Sequence, residues 1–291
     1  MTADRDMSDG GLPEASTPDA PGPDVDASDS AAAAGPALWA SPALPALDAA
    51  TVAHVHDVRA RGAQSGNRAG VFAKLGDSIT ASPSFLMDIG AGRYTLGTYG
   101  ALDPMIAFFR ATTLLDNLNS FNRVSDCAVA GWTAADALAG SPSAADTELS
   151  EIQPAYAIIM YGTNELETFD VTQYRTNMNR LLDVVEARNV VAVMSTIPHR
   201  VDFNGADALV PQANDVVRSI ATLRHVPLID LYVALDALSG YGLSSDGVHP
   251  NLEPTDAGSP SCDFSTAGLR YGYDTRNLLA VQMLDRLRSL P

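Results

Sequence analysis

Five short apolar runs, separated by segments of helical period, constrain this chain more than any other feature of its sequence. The runs lie at residues 71–76, 124–129, 155–161, 190–194 and 226–231, and the third, AYAIIMY, is the clearest. Their near-continuous apolar character suits strands buried on both faces, as in parallel sheets. Between them, Val171, Tyr174, Met178, Leu181, Leu182 and Val185 form one helical stripe, with Asp170 placed to cap it. Val216, Val217, Ile220 and Leu223 mark a second helix, and Leu278, Val281, Leu284 and Leu287 a third. Residues 47–61 also read as helical. The alternation predicts a three-layer α/β/α doubly wound domain over residues 47–291, built on a mainly parallel five-stranded sheet. In such sheets functional groups gather at the carboxyl ends of the strands.

The chain has 291 residues, 46% of them apolar, enough for one sizeable core. Its formal net charge of -17 repels phosphate backbones and anionic headgroups, so no nucleic-acid partner is expected. No run of 18 apolar residues exists, so no transmembrane segment is expected. Residues 1–46 read as a disordered acidic tether rich in Pro, Ala and Asp. Up to residue 40 that stretch has eight acidic side chains against Arg5 alone, and few large apolar groups to offset the entropy of ordering. It lacks the basic start and apolar run of a signal peptide. Its composition resembles the linker left after an export or lipoprotein signal is removed, so an exported protein is expected. A cytosolic protein with an unconstrained N-terminus is the alternative. The two cysteines, Cys127 and Cys262, exclude a disulfide framework and a four-Cys zinc site. One disulfide between them and two separate thiols both stay open.

The expected strand ends carry the chemistry. The first runs into Gly76-Asp77-Ser78-Ile79-Thr80, which sets a serine where a strand turns into a helix N-terminus. A plain helix cap is the other reading of that serine. The second is followed by Gly131-Trp132, a place where a Gly N–H would complete an oxyanion hole, though alone it is a weak signal. The third ends in Gly162-Thr163-Asn164-Glu165, where Asn164 offers an amide donor or an ordinary Asx turn. Near the C-terminus, Asp246 lies three residues before His249, within reach to orient its ring.

Taken jointly and in chain order, Gly76-Asp77-Ser78-Ile79, Gly131, Gly162-Thr163-Asn164-Glu165 and Asp246-Gly247-Val248-His249-Pro250 resemble the SGNH (GDSL-like) hydrolase family over residues 70–290. The resemblance implies ester hydrolysis through an acyl-enzyme on Ser78, with Asp246 and His249 activating it. It implies an oxyanion hole made by the Ser78 N–H, Gly131 and Asn164; the exported, tethered reading adds the expectation of a small-molecule or glycan ester, such as an acetylated glycan or a lipid ester, as substrate. Two departures are visible: the third block ends in Glu165 where the family usually has Asp, and the segment from Ser78 to Gly131 is long. Its aromatics (Phe85, Tyr94, Tyr99, Phe108, Phe109 and Phe121) are expected mostly in the core, whereas Trp132 is expected to line the site. Arg200 either orients an acidic substrate group or pairs with a carboxylate.

The pair His54 and His56 does not read as a metal site, because positions i and i+2 diverge on a helix. His199 reads as a loop residue. No phosphate-loop or dinucleotide motif occurs, so no metal or organic cofactor is expected. The rival functions are a non-catalytic carbohydrate-binding module on the same fold and a metal-dependent phosphodiesterase built on the two histidines. The sequence does not speak to oligomeric state.

Overall fold

A computed structural model describes residues 38–39, 41–254 and 261–291. Four strands form one parallel sheet in the order β1 (Arg68–Gly76), β2 (Pro154–Met160), β3 (Val191–Ser195) and β4 (Leu228–Ile229). The last seven residues of β1 and all of β3 are buried, as strands covered on both faces must be.

The helices are α1 (Ala49–Gln64), α2 (Ser78–Ala81), α3 (Met87–Gly90), α4 (Asp103–Arg110), α5 (Ala134–Ala137), α6 (Ala144–Ile152), α7 (Val171–Ala187), α8 (Ala206–Arg224), α9 (Leu231–Asp236) and α10 (Gly272–Arg288). Helices α6, α7 and α8 pack in sequence on one another and on β1 and β3, while α1 meets β2 and β3, α4 meets β1, α10 meets β4, and α4 and α10 touch. The result is the α/β architecture expected, with Asp170 capping α7 by accepting from the Thr172 and Gln173 N–H groups.

The sheet has four strands rather than five. Of the expected strand at 124–129, only a single bridge between Gly76 and Ala128 forms. Val124 is exposed, the Ser125 side chain and carbonyl draw the Cys127 and Ala128 N–H groups into a turn, and Asp126 N–H goes to Glu148. Just two ladder bonds remain, Gly76 N–H to Cys127 O and Val129 N–H to Gly76 O. The run at 226–231 shrinks to two residues because the Asp230 N–H leaves the ladder for Ala43 O at 2.7 Å.

That last bond also bears on the expected tether at 1–46, of which residues 1–37 and 40 lie outside the described residues. Ala43 and Leu44 are buried, Trp39 Nε1 donates to Asp285 on α10, and Gln282 of α10 donates to Leu38 O. Residues 38–39 and 41–46 therefore belong with the folded domain. Among the described residues no helix is long and apolar enough to cross a membrane.

Three of the long segment's six aromatics sit in the core and three pack against it. Phe85, Phe109 and Phe121 are fully buried, and Phe72, Phe109 and Phe121 meet edge to face with centroids 5.0–6.4 Å apart. Tyr94, Tyr99 and Phe108 pack partly buried against them.

Candidate active site

The turn after β1 is shaped by what surrounds it. A Cβ on Gly76 would come within 2.2 Å of Thr80 Oγ1 and 2.6 Å of Met160 O, so the strand can lie this close to β2 only with glycine there. Asp77, fully buried, caps α2 by accepting from Ile79 N–H at 2.9 Å. Burial pushes its carboxyl up, while the Ile79 N–H and the charge of Arg276 oppose the rise. Arg276, on α10 and itself buried, donates to Ile79 O at 2.6 Å and to Thr80 Oγ1 at 2.8 Å, and its guanidinium covers the Phe85 ring. The turn carrying Ser78 is thus fixed from both sides.

The loop carrying Asp246 and His249 closes on itself. Leu243 and Pro250 form an antiparallel bridge, Ser244 N–H donates to His249 O, and Val201 N–H donates to Gly247 O. Asn251 fastens the loop to α10 through Gly272 N–H and Tyr273 N–H. Within the loop, Asp246 Oδ1 accepts from Ser244 Oγ and from the Val248 and His249 N–H groups at 2.7–3.0 Å, and Oδ2 lies 2.7 Å from His249 Nδ1. Burial alone would raise the Asp246 carboxyl, but these donors outweigh it and hold it well below the usual carboxylate range. The opposite ring nitrogen, His249 Nε2, is 2.8 Å from Ser78 Oγ. With Nδ1–H directed at the carboxylate, Nε2 is the basic nitrogen and the serine hydroxyl donates to it.

Gly131 and Asn164 stand at the same end of the sheet. The Gly76–Ala128 bridge puts Gly131 three residues past the edge, and the Gly76–Met160 register puts Asn164 four residues past the end of β2. Gly162 turns that loop at φ +137°, where a Cβ would also meet the Tyr174 hydroxyl at 2.7 Å. One amide hydrogen of Asn164 is used on Trp132 O at 2.8 Å, which leaves the second available. Neither the Ser78 N–H nor the Gly131 N–H has an acceptor among the described residues. Trp132 is half-buried and packs on the edge of the core.

Arg200 is not free to orient a substrate. Its guanidinium is buried and bound to Thr163 O, Glu167 and both oxygens of Asp202. This side chain clamps the loop after β3 to the loop of Asn164. His199, expected as a loop residue, is also buried: its ring nitrogens face Asp207 at 2.8 Å and Asp236 at 3.1 Å, between the stacked rings of Tyr232 and Tyr241. The cysteines are separate, buried thiols, each pushed up to about 12 by burial.

His54 and His56 lie on helix α1, where His54 approaches Glu186 at 3.9 Å. One acidic group among the described residues, Asp126, Glu148 and Glu151, has spacing that would suit a metal, but Arg123 occupies it, 2.6 Å from Glu148. Sequence reasoning missed Arg276, which sits 197 residues from its partner Ile79 and carries no local signal of that role.

Comparison with known proteins points the same way as this geometry. The sequence model of the GDSL-like lipase/acylhydrolase family matches residues 75–253. No curated protein matches in sequence. Among solved structures, the chain is similar to a GDSL-like lipase from Bacteroides thetaiotaomicron, with TM-score 0.51, 13% identity, and 81% of this chain and 98% of that one covered. It is similar to an acetyl esterase mutant with acetate ion at TM-score 0.51 and 16% identity, covering 74% of this chain and 98% of that one. A lipase/acylhydrolase from Enterococcus faecalis aligns at TM-score 0.50 and 19% identity, covering 74% and 95%. At these identities the structural likeness speaks for the fold.

Proposed function

The chain belongs to the GDSL-like lipase/acylhydrolase family and is a hydrolase acting on esters; from that premise we propose that it cleaves carboxylic O-acyl esters through an acyl-enzyme on Ser78. One observation carries the reading: His249 Nε2 lies 2.8 Å from Ser78 Oγ while Nδ1 lies 2.7 Å from Asp246. His249 takes the serine proton as Oγ bonds to the ester carbonyl carbon. It then gives that proton to the departing alkoxide, which leaves as the alcohol. Water, deprotonated by the same imidazole, attacks the acyl-enzyme, and the carboxylic acid departs as Ser78 recovers its proton. Asp246 fixes the ring and stabilises the imidazolium between these transfers. The N–H groups of Ser78 and Gly131 and the spare amide hydrogen of Asn164 receive the oxyanion in both halves, with Trp132 assigned to the edge of the site.

The substrate is a small-molecule or glycan ester, and the acidic N-terminal stretch suits a tether on an exported enzyme. This mechanism needs no metal or organic cofactor. The test is Ser78→Ala, expected to fold normally, to lose hydrolysis of a short p-nitrophenyl ester and to lose labelling by a fluorophosphonate. Undiminished hydrolysis by that variant would overturn the assignment.

A further inference from the structure

Two hydrogen bonds join the loop of Gly131 to the loop of Asn164. One is Asn164 Nδ2 to Trp132 O. The other runs from the Ala134 N–H, at the start of α5, to Glu165 Oε1 at 2.8 Å. Glu165 thereby satisfies a first-turn N–H that α5 cannot pair for itself. Its second oxygen, Oε2, is shut away from solvent without a partner among the described residues. The side chain borders a cavity of about 160 Å³ shared with Thr133, Asp170, Tyr174 and Asn177. Burial pushes this carboxyl up to about 7 against the pull of the Ala134, Glu165 and Gly162 N–H groups, and the nearby Asp77 adds to the rise.

The titratable groups that face Glu165 are Asp77 after β1, Tyr161 after β2, Tyr174 on α7 and Asp170 across the cavity, none of them cationic. Arg200, which reaches the same loop at Thr163 O, is bound to Asp202 and Glu167. An ionised Glu165 therefore sets a negative charge that backbone N–H groups solvate but no facing cation among the described residues neutralises beside Asn164, where the intermediate's own negative charge grows. A neutral Glu165 keeps the tie to α5 without that repulsion.

We propose that Glu165 is a positioning residue for the hydrolysis assigned to Ser78, on which reading the proposal rests: its carboxyl fastens the Gly131 loop to the Asn164 loop, and its charge state sets how well the donors on those loops stabilise an oxyanion. The experiment compares the full-length wild type with Glu165→Gln and Glu165→Ala. It measures kcat and KM for p-nitrophenyl acetate across the pH range, fluorophosphonate labelling rates and thermal midpoints. Glu165→Gln is neutral at every pH, so its kcat relative to wild type is expected to rise about fivefold between about pH 6 and 8, as the wild-type carboxyl ionises. Glu165→Ala loses the tie, and its kcat falls about tenfold or more at every pH with KM little changed. A kcat ratio for Glu165→Gln that stays flat with pH overturns the proposal, as does a folded Glu165→Ala with wild-type kcat. If Glu165→Ala does not fold, the Glu165→Gln ratio decides. Wild-type protein that resists fluorophosphonate sinks the Ser78 reading and this proposal with it, whereas a labelled wild type with a flat ratio sinks this proposal alone.

Discussion

His249 reaches Ser78 across 171 residues of chain and ends with its Nε2 2.8 Å from the serine oxygen. The approach is held at both ends, by a side chain at the serine and by backbone at the histidine. The turn after β1 is gripped by Arg276, and the histidine loop is closed by the Leu243–Pro250 bridge and by Val201 N–H on Gly247 O. Precision of this kind is what a general base needs, since proton transfer depends steeply on donor–acceptor geometry.

Asp246 contributes through the ring it orients. Asp246→Asn is expected to lower kcat about 1,000- to 10,000-fold, because the amide stabilises the wrong tautomer and cannot support the imidazolium. The pH dependence of stability follows from the depressed carboxyl. A group whose folded value lies below its unfolded one stabilises at pH above the unfolded value, near 4 for Asp, and the contribution fades as the pH falls toward the folded value. The thermal-midpoint gap between wild type and Asp246→Asn should hold steady above about pH 5 and narrow below about pH 4. A gap that instead widens on acidification contradicts this assignment of the charge.

Asn164→Ala removes one oxyanion donor and also frees Trp132 O. Turnover is expected to drop about 100- to 1,000-fold, with KM changing far less. Steady-state kinetics on p-nitrophenyl acetate decide it, and unchanged kcat excludes Asn164 from the hole.

Arg200→Ala is expected to act on the fold. It leaves Thr163 O and Asp202 without their buried partner, so unfolding free energy should fall by about 2–4 kcal/mol. KM values for neutral and anionic esters should shift in the same proportion. A loss confined to anionic esters would restore Arg200 as a substrate contact.

Lys74, on β1, is buried with its Nζ donating to Phe121 O at 2.8 Å, and burial pushes it down to about 7 despite the charge of Glu148. The folded protein therefore gives up this proton more readily than the unfolded chain, whose lysine titrates near 10. Between about pH 7 and 10 the unfolded state binds more protons, so stability rises with pH in that window. The difference in thermal midpoint between Lys74→Met and wild type should favour the variant most at pH 7 and decline toward pH 10. A pH-independent difference argues against the shift.

How far the sequence carried depended on whether a signal was local. The turn chemistry at Gly76-Asp77-Ser78 and the three-residue spacing of Asp246 and His249 are short-range features, and periodicity located α7 with its Asp170 cap. Strand edges were not legible, because a strand is defined by its partner. Residues 124–129 read as a strand from Val124, Cys127, Ala128 and Val129, yet the Ser125 turn takes the Cys127 and Ala128 amides, and Asp230 gives its amide to Ala43, nearly 190 residues away in sequence. Arg200 could be read two ways until its carboxylates were in place, and the His199 sandwich joins four segments that no spacing rule connects.

The grip of Arg276 on the nucleophile turn has a temporal side. Helix α10 leaves the ribosome after every strand has done so, and only then can Ile79 and Thr80 receive their guanidinium. A chain still being synthesised, or one clipped ahead of residue 272, keeps the Asp77 cap on the serine turn but lacks the guanidinium on Ile79 O and Thr80 Oγ1. The nucleophile turn thus depends on a helical residue 197 positions downstream, and cleavage between the sheet and α10 would cut the segment that holds Ile79 and Thr80.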